Sequence, residues 1–223
     1  MTTQPALPSY TLREEIANSV THGIGIVLAI AGLAVLTAFA ALRGDVWHVV
    51  GCSIFGAALI ICFTTSTLYH SVQVARIKQR LRALDHSAIF LLIAGTYTPF
   101  MLVNLRGPWG WSLLAVIWSL ALAGIVLRLA LKGRLHGLVV AIYLAMGWAV
   151  VVATEPMLRH VGTGGLVLLA SGGLAYTAGV AFYKWRRLPY NHAVWHGFVL
   201  AGSALHFFAV LFYVIPWPVP PGS

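Results

Sequence analysis

Residues 20–42, VTHGIGIVLAIAGLAVLTAFAAL, contain no Asp, Glu, Lys or Arg. They are long enough to cross a bilayer as one helix, which needs about 20 apolar residues. Six further apolar stretches follow in the chain of 223 residues, at 47–69, 86–105, 110–131, 137–153, 164–183 and 193–215. Charged residues make up only 9% of the chain, against roughly 25% in soluble domains. Because lipid-facing backbone must satisfy its own hydrogen bonds, the sequence predicts an all-α membrane protein, a bundle of seven transmembrane helices.

Short polar or turn-rich segments separate the apolar stretches, at 43–45, 71–84, 106–108, 132–134, 154–162 and 184–191. The domain organisation predicted from this pattern is simple. A short cytoplasmic segment, 1–19, precedes a transmembrane domain, 20–215, and a short external tail, 216–223, follows it. The prolines of the tail cannot continue a helix.

The orientation is predicted from the basic residues, which are unevenly distributed between the two sides. One side carries Arg13, Arg76, Lys78, Arg80, Arg82, Arg128, Lys132, Arg134, Lys184, Arg186 and Arg187, and the other carries Arg43, Arg106 and Arg159. Eleven against three predicts a cytoplasmic N-terminus and an external C-terminus. The net charge of +9 is thereby explained as a topology signal, and we expect no nucleic-acid partner.

Ionisable and polar residues inside apolar segments are the most informative ones in a membrane protein. They occur where four helices begin or end: Glu15, Asn18 and His22 enter helix one, Ser66 and His70 leave helix two, Asp85 and His86 enter helix three, and His192 and His196 enter helix seven. The predicted topology brings all of them to the cytoplasmic end. Four distant parts of the chain therefore place polar groups at one membrane level, where we expect a functional site.

The histidine spacing favours a metal. His192 and His196 are four residues apart, so they share a helical face and lie about 6 Å apart along the axis. Such a pair suits two ligands of one ion, and several histidines converge at the same level. Imidazoles without a nearby thiolate favour zinc, with iron, copper or nickel as alternatives. Three histidines would leave a fourth position for water, as in catalytic zinc sites.

Asp85 and Ser66 have natural roles beside such a metal. Asp85 would hold the water or accept its proton, and Ser66, one turn from His70, would bond the water or a developing oxyanion. Two alternatives remain open at this point. In the first alternative, Asp85 is the N-cap of helix three. Ser66, His70 and Asp85 also suggest a serine hydrolase, which would leave the paired histidines of helix seven unexplained.

The remaining histidines are weaker candidates for the site. His48 and His160 are predicted on the external side, and His206 lies deeper in helix seven, so we expect interfacial or packing roles for these three. His86 and His136 are on the cytoplasmic side but lack a paired spacing.

Three spaced motifs carry a family resemblance over residues 12–215. They are Glu15-x2-Asn18-x3-His22, Ser66-x3-His70 followed by Asp85, and His192-x3-His196. Together they resemble the motifs of the hemolysin III branch of the PAQR proteins, the family of the adiponectin and progestin receptors. The resemblance implies a seven-helix protein of the bacterial inner membrane with a cytoplasmic N-terminus. It also implies zinc held by His70, His192 and His196, with Ser66 and Asp85 around its water and with Glu15, Asn18 and His22 as neighbouring groups.

Three functions follow as expectations from the residues and the resemblance. The first is a zinc-dependent hydrolase of lipid amide or ester bonds, with membrane lipid as its substrate and a role in membrane homeostasis. The second is a receptor-like regulator that senses lipid and holds zinc structurally. The third is a pore-forming cytolysin, although a secreted toxin should be less apolar than this chain. Enzyme and receptor would use the same site, and the sequence indicates no oligomeric state.

Overall fold

The computed structural model describes residues 10–130 and 136–217, and within them every regular element is helical. The helices are α1 (Leu12–Arg43), α2 (Val46–Ser71), α3 (Ala75–Leu102), α4 (Pro108–Ala130), α5 (His136–Gly147), α6 (Thr154–His160), α7 (Gly162–Lys184) and α8 (Asn191–Tyr213). The all-α class is thus confirmed. The predicted break at 132–134 lies outside the described residues, as do residues 1–9 and most of the predicted tail.

Six helical segments in the described part of the chain are long and apolar enough to cross a membrane. One of them, Gly137–His160, combines α5 and α6. The seventh helix is α3, whose 28 residues include a strongly basic first half and an apolar second half. The protein is therefore a multi-pass membrane protein.

Two helices begin earlier than hydropathy predicts. Helix α1 starts at Leu12, because Thr11 and Glu14 form a capping box in which each side chain bonds the other's backbone N–H. Helix α3 starts at Ala75, after the cap residue Val74. The predicted N-cap role of Asp85 is therefore wrong, since Asp85 lies well inside the helix. Hydropathy locates only the apolar part of a helix. It does not detect a basic turn that extends the same helix.

Between α5 and α6 the helix loosens into a 3₁₀ turn, Ala149–Ala153. The hydroxyl of Tyr97 in α3 donates to carbonyl oxygens at the end of α5 and accepts from the backbone N–H of Val150, 2.9 Å away. The Tyr97 hydroxyl thus bonds backbone groups that lose their helical hydrogen bonds where α5 ends. The break predicted at 154–162 is shorter in the structure, because α6 occupies Thr154–His160 and the chain breaks at Val161, before α7.

The packing order positions the site. Helix α1 lies against α2 and α8, α2 packs on α3, α3 on α4, and α7 on α8. Helices α1, α3 and α8 all begin at one end, which we call the proximal end, and finish at the distal end. At the proximal end a carboxylate oxygen of Glu14 accepts the backbone N–H of Tyr190, at 3.3 Å. At the distal end the guanidinium of Arg43 lies 4.1 Å from the Trp217 ring centroid.

Candidate metal centre

Three buried histidines meet at the proximal end. His70 lies in the last turn of α2, and His192 and His196 lie in the first two turns of α8. Each offers one ring nitrogen, and the three nitrogens lie within 4.8 Å of one another. The helical spacing explains why His192 and His196 share a face, whereas only the packing of the bundle brings His70 to them.

Helix α1 and Tyr10, two residues before it, orient all three rings. His70 Nδ1 lies 2.6 Å from a carboxylate oxygen of Glu15, and His196 Nδ1 lies 3.1 Å from the backbone oxygen of Asn18. His192 Nδ1 lies 3.2 Å from the hydroxyl of Tyr10. Because each Nδ1 has a partner, each Nε2 is left as the nitrogen available for a ligand. Burial raises the pKa of Tyr10, so its hydroxyl stays protonated at neutral pH.

The donor set fits a metal ion. His70 Nε2 is buried and has no hydrogen-bond partner among the described residues. A buried polar atom without a hydrogen-bond partner lowers the stability of the fold, unless a ligand supplies the missing interaction. Three neutral imidazoles with oriented rings are the ligands that zinc and related transition metals take. The buried histidine cluster is therefore a possible metal site.

A buried ion pair holds Glu15 in place. Lys78 Nζ lies 2.8 Å from Glu15 Oε1 and donates to the backbone oxygens of Tyr69, at 3.0 Å, and Val72, at 3.3 Å. This lysine therefore links the start of α3 to the end of α2 and to the carboxylate that orients His70. The sequence analysis treated Lys78 as a topology residue. Nothing in the pattern of basic residues at 76–82 distinguishes it, and Tyr10 likewise carries no sequence signal.

His22 lies in contact with the cluster. Its ring stacks on the ring of His196, with centroids 3.6 Å apart and planes tilted by 12°. Both of its nitrogens are buried without a hydrogen-bond partner among the described residues. The Asn18 amide nitrogen lies 3.3 Å from His70 Nδ1. All three residues of the Glu15 motif therefore face the three histidines.

A cavity of about 150 Å³ extends from the cluster into the bundle. His22, His192 and His196 line its proximal part, together with Ser66 and Asp85. Ser66 Oγ is buried beside Asp85, and no hydrogen bond joins it to His70. The serine-hydrolase alternative therefore lacks the contact on which it depends.

The structure separates the other histidines from the cluster, with two exceptions along the cavity. His48 bonds Asp45 at the distal end, and the backbone oxygen of His160 accepts from Asn104 there. His86 lines the cavity beside Asp85. His206, expected to have a packing or interfacial role, lines its deeper part. The side chain of His136 lies outside the described part of the chain.

Comparison with known proteins gives one consistent result. The model of the family described as "Haemolysin-III related" matches residues 10–207. The chain is 46% identical to the "Hemolysin-3 homolog" of Bacillus subtilis, covering 94% of this chain and 98% of the relative. It is also 46% identical to "Hemolysin-3" of Bacillus cereus, covering 92% and 94% respectively. The human "Monocyte to macrophage differentiation factor" is 32% identical, covering 93% and 87%.

Proposed function

The chain belongs to the haemolysin-III family, as its motifs predicted, and we propose that it is a zinc-dependent hydrolase of lipid amide or ester bonds. One observation carries the proposal. The cluster of three oriented histidines adjoins, through His192 and His196, a cavity that is mostly apolar and that is also lined by the Asp85 carboxyl group and the Ser66 hydroxyl. An apolar cavity with a few convergent polar groups is the usual form of a site for an apolar substrate.

Zinc is the metal that best suits the ligands. His70, His192 and His196 would hold it through Nε2, and no thiolate takes part. When bound, zinc supplies Lewis acidity that polarises a carbonyl oxygen and makes water more acidic. Glu15, Asn18 and Tyr10 would keep the three rings in the required orientation.

The groups lining the cavity supply the remaining chemistry in this proposal. The Asp85 carboxylate would accept a proton from the attacking water. Ser66 Oγ, which lies beside Asp85 and is not bonded to His70, would donate its hydrogen to the oxygen of the substrate carbonyl as charge develops there. The apolar wall beyond them would hold the lipid chain and exclude water. Hydrolysis of a membrane lipid would give the protein a role in membrane homeostasis.

We further propose that the proximal end faces the cytoplasm of a bacterial cell, in the inner membrane. The support is the basic residues at that end, among them Arg13, Arg76 and Arg186, against Arg43, Arg106 and Arg159 at the distal end. A periplasmic phosphatase fused after residue 223 should be active, and a fluorescent reporter that matures only in the cytoplasm should be dark. The reverse pair of results would contradict this orientation.

The test of the proposed reaction uses the full chain purified in detergent. Metal content is measured by mass spectrometry, and turnover is followed on a panel of lipid amides and lipid esters. We expect about one zinc per chain and zinc-dependent release of fatty acid, both lost in His196→Ala. Zinc without turnover on any lipid would favour the regulator. Leakage from liposomes that persists in His196→Ala would favour the lytic activity named in the Bacillus cereus relative.

A further inference from the structure

His206 is a buried histidine in the part of α8 that lies inside the membrane. It lies ten residues after His196, about 15 Å further along the helix axis. Its side chain lines the same cavity as His192 and His196 of the cluster. Ionisable residues at such depth are rare and are usually functional. The proposed hydrolysis at the proximal end makes no use of it.

The contacts of His206 define its tautomer. Nε2 lies 3.1 Å from the backbone oxygen of Leu169 in α7. A carbonyl oxygen only accepts hydrogen bonds, so Nε2 carries the hydrogen of the neutral ring and Nδ1 carries a lone pair. The ring reaches this position because residue 172 is glycine, where a Cβ atom would overlap Nε2 and Cδ2.

Nδ1 of His206 is a buried acceptor that lacks a hydrogen-bond partner among the described residues. The other polar groups around the deeper part of the cavity are already engaged. The hydroxyl of Tyr97 bonds backbone groups between α5 and α6, and the hydroxyls of Tyr176 and Ser203 bond each other at 2.8 Å. Thr177 accepts from the Trp148 indole at 3.1 Å and donates to a carbonyl of its own helix. Within the described part of the chain, His206 Nδ1 is therefore a buried ring acceptor of the deeper cavity that makes no hydrogen bond.

We propose that His206 Nδ1 is a specificity subsite that accepts a hydrogen bond from a hydroxyl carried on the apolar chain of the bound lipid. The assignment rests on the proposed function in one respect, namely that the polar end of the lipid lies at the three histidines. A hydroxyl on the lipid chain would donate a hydrogen bond to His206 Nδ1. An unsubstituted chain would bury the same nitrogen without a hydrogen bond. The distance along α8 places the preferred hydroxyl about 15 Å from the polar end of the lipid.

The test measures binding, so it does not depend on turnover. Full-length protein in lipid nanodiscs is stripped of metal with a chelator. It is then titrated with octadecanoic acid, or with monohydroxy-octadecanoic acids whose hydroxyl lies near the carboxyl, mid-chain or near the methyl end. We expect the mid-chain hydroxyl to tighten binding about tenfold relative to the unsubstituted chain, the contribution of one hydrogen bond.

Two substitutions separate the proposed acceptor from the structural contact. His206→Asn keeps an acceptor oxygen near the position of Nδ1, and it should retain most of the preference. His206→Gln can still donate to Leu169 but leaves no acceptor at Nδ1, and its preference should fall below about twofold. His48→Gln, at the distal end, serves as the matched control and should behave as the wild type.

Equal binding of all chains by the wild type, or no binding of any chain, would overturn the subsite, as would an unchanged preference in His206→Gln. An enzyme that hydrolyses lipid but shows no hydroxyl preference would refute the subsite alone. A clear preference without any turnover would refute the hydrolase alone.

Discussion

At the proximal end, Glu15 and Lys78 form an ion pair whose side chains are only 5% and 6% exposed, whereas at the distal end Asp45 and Arg106 pair with 46% and 45% of their side chains exposed. The distal pair contributes little beyond capping, because water screens it. Burial of the proximal pair costs desolvation energy for two charges, and further hydrogen bonds offset that cost. Lys78 makes two to backbone oxygens, and Glu15 makes one to His70.

The polar groups without partners are also unequal at the two ends. Near the proximal end, His70 Nε2 and both nitrogens of His22 are buried without hydrogen bonds among the described residues. At the distal end, the amide nitrogen of Asn104 donates to the backbone oxygens of His160 and Tyr213 and ties three segments together, while its amide oxygen is buried without a partner in the described part of the chain. The open atoms of the proximal end are clustered ring nitrogens of the kind that bind a ligand, whereas the distal amide joins segments of the bundle.

The largest expected effect comes from removing a proposed metal ligand at the proximal end. His196→Ala should reduce zinc from about one per chain to background, and turnover with it, because two histidines bind far more weakly than three. Metal analysis of the purified variant measures this. His160→Ala at the distal end is the control, and equal metal loss in both variants would remove the distinction between the ends.

Asp85→Asn should reduce turnover by about 10²–10⁴ while metal content and fold remain, because the amide keeps the shape but not the basicity of the carboxylate. Initial rates on the best lipid substrate give the result. Asp45→Asn, the same chemical change at the distal end, should leave the rate unaltered. A rate for Asp85→Asn close to that of the wild type would show that Asp85 takes no proton.

Tyr10→Phe should weaken metal binding by about tenfold, the lower limit for loss of a group that orients a ligand. The ring that covers His192 remains, and only the hydroxyl that bonds its Nδ1 is lost. Competition with a chelator gives the affinity, and the absorption spectrum of the cobalt-substituted protein reports the ligand geometry. Tyr190→Phe, an exposed tyrosine at the same end, should change neither, and the same shift in both variants would assign the effect to surface packing.

The smallest effect is expected at the distal end, where Asp45→Ala should cost about 1 kcal/mol of stability through loss of the α2 cap and leave metal content unchanged. The hydrogen bond from His48 is the main cause that lowers the pKa of Asp45. Because folding lowers the pKa of Asp45, the charged cap contributes its full stability above the ordinary carboxyl pKa. That stability is lost only as the pH falls through the lowered pKa of the folded protein. Thermal unfolding should therefore show no loss of the Asp45 contribution between pH 8 and about pH 5. A loss of that contribution within this range would contradict the charged cap.

Helical periodicity made part of the site predictable. Four-residue spacing places His192 and His196 on one face whatever the rest of the fold does, and the same rule relates Ser66 to His70. The turn of α3 that carries Lys78 was not predictable as helix, because it is basic and hydropathy detects only the lipid-facing part. This is also why Asp85, next to the apolar stretch, resembled a cap.

The sequence by itself determined that the chain crosses the membrane repeatedly as helices, because the composition and length of its apolar stretches leave the backbone no other way to satisfy its hydrogen bonds in lipid. It also determined the family and the three motifs. Only the tertiary structure decided that Tyr10, Glu15 and Asn18 orient the three histidines and that Lys78 neutralises Glu15. It also decided that His206 lines the same cavity as His192 and His196. These are contacts between residues far apart in the chain, and they depend on how α1 lies against α2 and α8, which no local pattern encodes.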